Sequence, residues 1–160
     1  MMDTPFELPK MTPCVFCELI AGRFDKGLVE ETELTLTIVN IRQYEVGQVF
    51  VIPRRHAPTI LDLTDDELHA IMRAVRRVSV AMVKTYSPDG ITLYNNNGVA
   101  SMQEVPHFHM HVVPRRKSSL WGDGPLHLAA LERRSADILD KVQIDIKRER
   151  EIAEEIRAQL

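Results

Sequence analysis

Cysteine is nearly absent from this sequence. Its 160 residues include two, Cys14 and Cys17, separated by Val15 and Phe16. That leaves no disulfide framework. In a reducing compartment a Cys-x-x-Cys pair reads as a metal clip or a redox pair before it reads as a structural bridge. No apolar run approaches the length of a membrane span, so no membrane partner is expected. The first ten residues, MMDTPFELPK, lack the charged-then-apolar pattern of a secretory signal, and the expected location is the cytoplasm. An excess of one charge is also missing. A formal net charge of −3 gives no ground for nucleic-acid binding. Internal repeats are absent, and the one biased segment is a charged stretch near the C-terminus. The length fits one domain able to bury a core.

What the chain does hold is a histidine row. Residues 106–115 read PHFHMHVVPR, so three of only six histidines alternate with apolar residues. Alternation is a strand signature, since successive side chains point to opposite faces. Phe108, Met110 and Val112 are expected to face a core. His107, His109 and His111 line the other face, roughly 7 Å apart, and Pro114 is expected to close the strand. A row of imidazoles serves either metal binding or acid–base and nucleophilic chemistry.

The other elements follow from local pattern. Residues 1–13 carry three prolines and read as a loosely held arm. VFCELIAG (15–22) reads as a short helix ending at Gly22. ELTLTIVNI (33–41) and GQVFVIPRRH (47–56) read as strands, the second ended by Pro53. Thr64 and Glu67 form a capping box, and Leu68, Ile71, Met72, Val75, Val78 and Met82 mark the buried face of the long helix that follows. Ser87-Pro-Asp-Gly90 is a turn, and ITLYNNNG (91–98) is a strand opening into a polar loop. Helix is expected again from Pro125, with Ile138, Val142 and Ile146 as one stripe and Ile152, Ile156 and Leu160 as another. The charged run KRERE between them reads as a solvated helix face. Two strands, a helix and two more strands imply an α+β fold with an antiparallel sheet. The long helix covers one face. The histidines occupy the other, which must itself be partly covered, for instance by a second subunit.

Structural zinc sites take four Cys and His ligands that include a closely spaced Cys pair. Cys14 and Cys17 supply half of such a set. Of the histidines, His69 belongs to the exposed side of the long helix, His127 is left unassigned, and His56, after a tight PRRH turn, is a plausible fixed ligand. A neutral imidazole is also a good nucleophile toward phosphorus, and a covalent nucleotidyl-histidine would split one hard displacement into two easier ones. The loop YNNNGVASMQEV (94–105) could supply donors at Asn96, Asn97, Ser101 and Gln103, and flexibility at Gly98. A catalytic zinc held by all three alternating histidines is disfavoured. They would span roughly 13 Å, too far for each to reach one ion at about 2 Å.

His107-Phe-His109-Met-His111-Val-Val resembles the signature of the histidine triad (HIT) superfamily of nucleotide hydrolases and transferases. CVFCELIAG, VNI, GQVFVIPRRH, LTDDEL, NNNG and QEVPHFHMHVVPR follow in that family's order and spacing across roughly residues 14–116. The resemblance implies a HIT-like antiparallel sheet with one long helix, a short N-terminal helix and a C-terminal helical extension. It divides the chain into an arm (1–13), a HIT domain (14–120) and an extension (121–160). It also implies His109 as nucleophile and His111 as the phosphate-binding histidine. Gln103 and Asn96 would lie beside the phosphate, Asn40 on the ribose hydroxyls, and Val15, Phe16 and Leu19 around the purine. Cys14, Cys17, His56 and His107 would hold a structural zinc ion, and His107 could then not serve as leaving-group acid.

The implied activity is hydrolysis at the α-phosphate of phosphoramidates, adenylylated amines or dinucleoside polyphosphates, releasing a nucleoside monophosphate. The alternatives are a nucleotidyl transferase or phosphorylase, and a nucleotide-binding protein with little turnover. HIT proteins usually form homodimers, and the C-terminal helix is the expected interface. Three positions depart from the pattern. Gln48 stands where many members have a fourth histidine, Met102 where a glycine commonly precedes the glutamine, and Glu104 where some members carry serine. A carboxylate at 104 would disfavour highly charged polyphosphates and tolerate an amine leaving group.

Overall fold

The computed structural model describes residues 5–119 and 142–160. Its centre is a five-stranded antiparallel sheet of β1 (Leu28–Glu31), β2 (Thr35–Val39), β3 (Val49–Pro53), β4 (Gly90–Tyr94) and β5 (Met110–Arg115), in the order β1-β2-β3-β5-β4. Helices α1 (Val15–Ile20), α2 (Asp65–Tyr86) and α3 (Ile146–Arg157) pack around it. The α+β class is as expected. Among the described residues, no helix is long and apolar enough to cross a membrane.

The first strand was not expected, because LVEE is short and half acidic. It forms because Val29 is buried and the strand pairs with β2, while Arg77 of α2 holds Glu30 through two 2.8 Å bonds. The helix α2 begins at the expected capping box. Thr64 Oγ1 accepts from the Glu67 amide at 3.2 Å, and Glu67 Oε2 accepts from the Thr64 amide at 2.9 Å. Its buried face differs from expectation: Met72 is 49 % exposed and Leu68 only half-buried, while Ala70, Ala74 and Ala81 are buried. Met72 stands about 120° round the helix from the buried Val78, off the stripe that the alanines complete.

Alternation along the strands sorts two layers. Val49, Val51, Phe108 and Val112 join Ile71, Val75, Val78 and Met82 of α2 and Ile152, Ala153 and Ile156 of α3 in the larger core. On the opposite face, Leu36, Ile38 and Ile52 pack with Phe16 of α1. The histidines lie on this second face, and α1 of the same chain covers it.

Regular pairing of β5 starts only at Met110, opposite Val51. His107 and His109 precede the strand in an extended lead-in, with the Phe108 amide donating to the Ala57 carbonyl. Pro53, which has no N–H to give, stands where the ladder would otherwise continue. At the other end the strand runs through Pro114 to Arg115 instead of closing, since β4 alone flanks it there.

The C-terminal region brings three corrections. Residues 143 and 144 are not helical: Gln143 bridges Arg42, and the Ile144 amide donates to the Ile41 carbonyl. Leu160 is 48 % exposed, and Glu149 of the charged run is buried. Ile152, Ala153 and Ile156 of α3 are spent in the core of their own chain. Ile138, His127 and the 120/121 boundary lie outside the described residues.

Candidate functional site

Three segments converge at the start of α1. Cys14 and Cys17 flank its first turn, His56 follows the exit of β3, and His107 opens the lead-in to β5. The ligand atoms of all four lie within 4.8 Å of one another. Cys17 Sγ is 3.3 Å from His56 Nδ1 and 3.6 Å from His107 Nδ1, and Cys14 Sγ is 3.7 Å from His107 Nδ1. Bonds of about 2.3 Å to sulfur and 2.0–2.1 Å to nitrogen place S and N about 3.6 Å apart around a tetrahedral zinc ion, so the donor set fits. The His107 Nε2–H donates to the Pro53 carbonyl at 2.9 Å, which fixes Nδ1 as the lone-pair nitrogen. Burial pulls the imidazole down to about 4, so it stays neutral and able to ligate. Burial and the neighbouring Cys14 push the Cys17 thiol up to about 11, and a cation at the centre of the cluster would be what holds Cys17 as a thiolate.

The next two histidines leave that cluster and face a cavity of about 660 Å³. The His109 Nδ1–H donates to the His107 carbonyl at 2.8 Å, leaving Nε2 as the free nitrogen. Burial holds its pKa below the ordinary imidazole value. His111, depressed further by burial and by His109, accepts at Nδ1 from the Gln48 amide at 3.4 Å. Its own proton therefore sits on Nε2. The departure at Gln48 thus keeps a hydrogen bond on His111 in place of an imidazole contact. Edges of Phe16 and Phe50 pack on the rings of His109 and His111, and Tyr94 stacks on His111 with centroids 3.9 Å apart. With these aromatics around them, His109 and His111 are both buried.

Val15, Phe16, Leu19, Asn40 and Asn96 also line the cavity. Asn40 Oδ1 accepts from the Arg42 amide at 3.0 Å, and Asn96 donates to the Met102 carbonyl at 3.4 Å. Gln103 lies behind the lining. Its amide hydrogens go to the Pro58 and Val105 carbonyls, and its oxygen accepts from the Gly98 amide. Met102 has φ +65°, the left-handed conformation that glycine adopts freely and that costs other residues about 1–2 kcal/mol; this chain keeps the loop's shape without the glycine. The arm reaches the same loop. The Val99 amide donates to the Glu7 carbonyl at 2.8 Å, and a Cβ on Gly98 would lie 2.9 Å from Phe6. At least part of the expected loose arm is therefore anchored.

Four cavity residues carried no usable sequence signal: Arg42, Tyr44, Tyr94 and Glu149. Arg42 pairs with Glu104 at 2.9 Å, so the carboxylate at 104 is balanced by a cation, which weakens the argument that it repels polyphosphate. Tyr94 stands inside an ordinary strand pattern, and Glu149 inside a charge run.

A buried histidine pair on an open cavity, next to a Cys–His cluster on a five-stranded antiparallel sheet, defines a histidine triad protein. The HIT domain family model matches residues 22–118, and the chain belongs to this family. It is similar to Protein hit of Bacillus subtilis, 35 % identical over 102 residues, which cover 64 % of this chain and 70 % of that protein. It is also similar to a bis(5′-nucleosyl)-tetraphosphatase (asymmetrical) of Schizosaccharomyces pombe, 33 % identical over 123 residues, 76 % of this chain and 67 % of that protein. Among solved structures, a zinc-bound histidine triad family protein from Mycobacterium smegmatis matches with a TM-score of 0.71 and 27 % identity, covering 92 % of each chain.

Proposed function

We propose that the protein hydrolyses nucleoside 5′-phosphoryl compounds at the α-phosphorus through a nucleotidyl-histidine. The observation that carries this reading is the His109 tautomer. With Nδ1–H held by the His107 carbonyl, the lone pair is on Nε2 of a neutral ring lining the cavity. That nitrogen attacks phosphorus and the bond to the leaving group breaks. Water then cleaves the N–P bond to release the monophosphate and the free imidazole. His111 Nε2–H and the Asn96 amide donate to the phosphoryl oxygens, and Gln103 positions the loop that carries them. Asn40 takes the ribose hydroxyls, and Val15, Phe16 and Leu19 enclose the base. The proton for the leaving group comes from water or the substrate. Similarity to a tetraphosphatase supports dinucleoside polyphosphates as one substrate class, beside phosphoramidates and adenylylated amines.

Cys14, Cys17, His56 and His107 would hold zinc, whose part is to fasten α1 to the β3 exit and to the histidine segment. The working form is a homodimer. With the buried apolar residues of α3 spent in the core, the outer edge of β4 and the exposed Leu93 are the surfaces a second copy would cover, and light scattering of the purified chain tests this.

Release of AMP from adenosine 5′-phosphoramidate and diadenosine tetraphosphate, with and without inorganic phosphate, tests the reaction. His109→Ala is expected to remove turnover by on the order of 10⁴-fold or more. Full activity in that variant would overturn the assignment, and ADP formation that depends on phosphate would move the protein to phosphorolysis.

A further inference from the structure

The end of the cavity away from the histidines carries a polar group that the phosphoryl chemistry does not use. Val15, Leu19 and Phe24 give it apolar walls, and Glu149 of α3 completes the lining. Glu149 is only 7 % exposed. Its Oε2 accepts from the Gly27 amide at 3.2 Å, and Oε1 takes no hydrogen bond from any described residue. This approach depends on Gly27, where a Cβ would stand 2.5 Å from the Glu149 carbonyl oxygen. The helix is fastened beside the cavity by the Gln143–Arg42 bridge, by the Ile144–Ile41 hydrogen bond and by an Arg150–Asp25 ion pair at 2.8 Å. Lys26, a second cation at this end, has its ammonium on the Leu19 carbonyl at 2.8 Å.

A carboxylate only accepts hydrogen bonds, so Oε1 is left to a donor from water or from a ligand in the cavity that Glu149 lines. Burial raises the Glu149 carboxyl, with Asp145 and Asp25 adding to the rise and the Gly27 amide and Arg150 opposing it. A flat ligand that fits between the apolar walls can meet this need by offering one donor to Oε1 and a second to the remaining lone pair of Oε2. Guanine presents N1–H and N2–H₂ side by side on its Watson–Crick edge, matching the two oxygens of a carboxylate. Adenine presents N6–H₂ beside the N1 lone pair, which a carboxylate repels.

We propose that Glu149, which lies beyond the residues matched by the family model, reads the base edge and makes the site prefer guanine over adenine nucleotides. The proposal rests on the cavity being a nucleotide site, and it gives the C-terminal extension a direct part in substrate choice.

Calorimetric titration of the full chain with GMP, IMP and AMP tests it. GMP is expected to bind at least about 10-fold more tightly than AMP, with IMP, which keeps N1–H alone, between them. Glu149→Gln keeps the shape and an acceptor for Gly27 but turns one acceptor into a donor. It should bring the GMP preference below about 3-fold with AMP binding equal or stronger, while thermal unfolding without ligand shows that the variant is folded. Equal binding of GMP and AMP by the unaltered protein, or an unchanged preference in the variant, would overturn the proposal and leave the nucleotide reading standing. Failure of all three to bind would overturn both.

Discussion

Replacing Cys17 with serine probes the Cys–His cluster through stability, independently of turnover. The four ligands come from three chain segments, and no unfolded chain holds them in this arrangement, so zinc binds the folded state alone. Held at about 1,000 times its dissociation constant, it would stabilise the fold by about 4 kcal/mol. For a chain of 160 residues, each kcal/mol shifts Tm by about 2–4 °C. Stripping the metal under reducing conditions should therefore lower Tm by roughly 8–16 °C. Cys17→Ser removes a thiolate from the centre of the set, since Cys17 Sγ touches both His56 and His107. The variant should melt near the stripped protein, and chelator should then have no further effect. That lack of additivity is the decisive readout from differential scanning calorimetry with and without chelator. A variant that still lost 8 °C or more on chelation, or an unaltered protein indifferent to it, would show that these residues do not form a zinc site.

Two other outcomes follow from single contacts. Gln48 is fully buried, with Nε2 on His111 and an Oε1 that has no partner among the described residues. Gln48→Leu should lower kcat about 10- to 100-fold with little change in KM, while Tm stays level or rises; a large loss of Tm with full kcat would contradict the positioning role. The Arg55 hydrogen bond, with those from Thr64, holds the Glu67 carboxyl below the ordinary carboxylate value. Such a group adds stability above its unfolded pKa, near 4.3, and loses it as pH falls through the folded value. Glu67→Gln should therefore cost about 1–2 kcal/mol at pH 7, trimmed by solvent at the half-exposed Arg55, and progressively less as pH falls below about 4.3, with the charge contribution gone only below the folded value. A gap that stays constant in chemical denaturation from pH 7 to pH 3 would refute the charge argument.

Much of this molecule is legible in its sequence because the decisive patterns are local and chemically unusual. Alternation sorts His107, His109 and His111 from Phe108, Met110 and Val112, and the structure keeps that division even where regular pairing has not begun. The Thr64–Glu67 capping box shows in four residues and forms as expected. Where the reading fails, tertiary contacts set the outcome. The strand β1 is stabilised by Arg77, 47 positions from Glu30, and no window of LVEE contains that bond. The alanines of α2 carry little hydrophobic signal, yet Ala70, Ala74 and Ala81 complete its buried stripe. Glu149 looks like one more solvated acid in KRERE until the fold brings Gly27 against it. Gln103 sits in the expected loop, but the fold spends its amide on backbone groups behind the cavity lining, Pro58 among them, 45 positions away.

The placement of α3 has a consequence for synthesis. Ile152, Ala153 and Ile156 fill a core whose other walls are β1, β2 and α2, and α3 is made after all of them. A nascent chain can therefore pair its five strands and assemble the Cys–His cluster while an apolar trough on the far side of the sheet still faces water. Until the ribosome has released this helix, the trough is open to chaperones and to other unfinished chains. Prematurely terminated products would be stickier than the finished protein, although they carry every histidine of the triad.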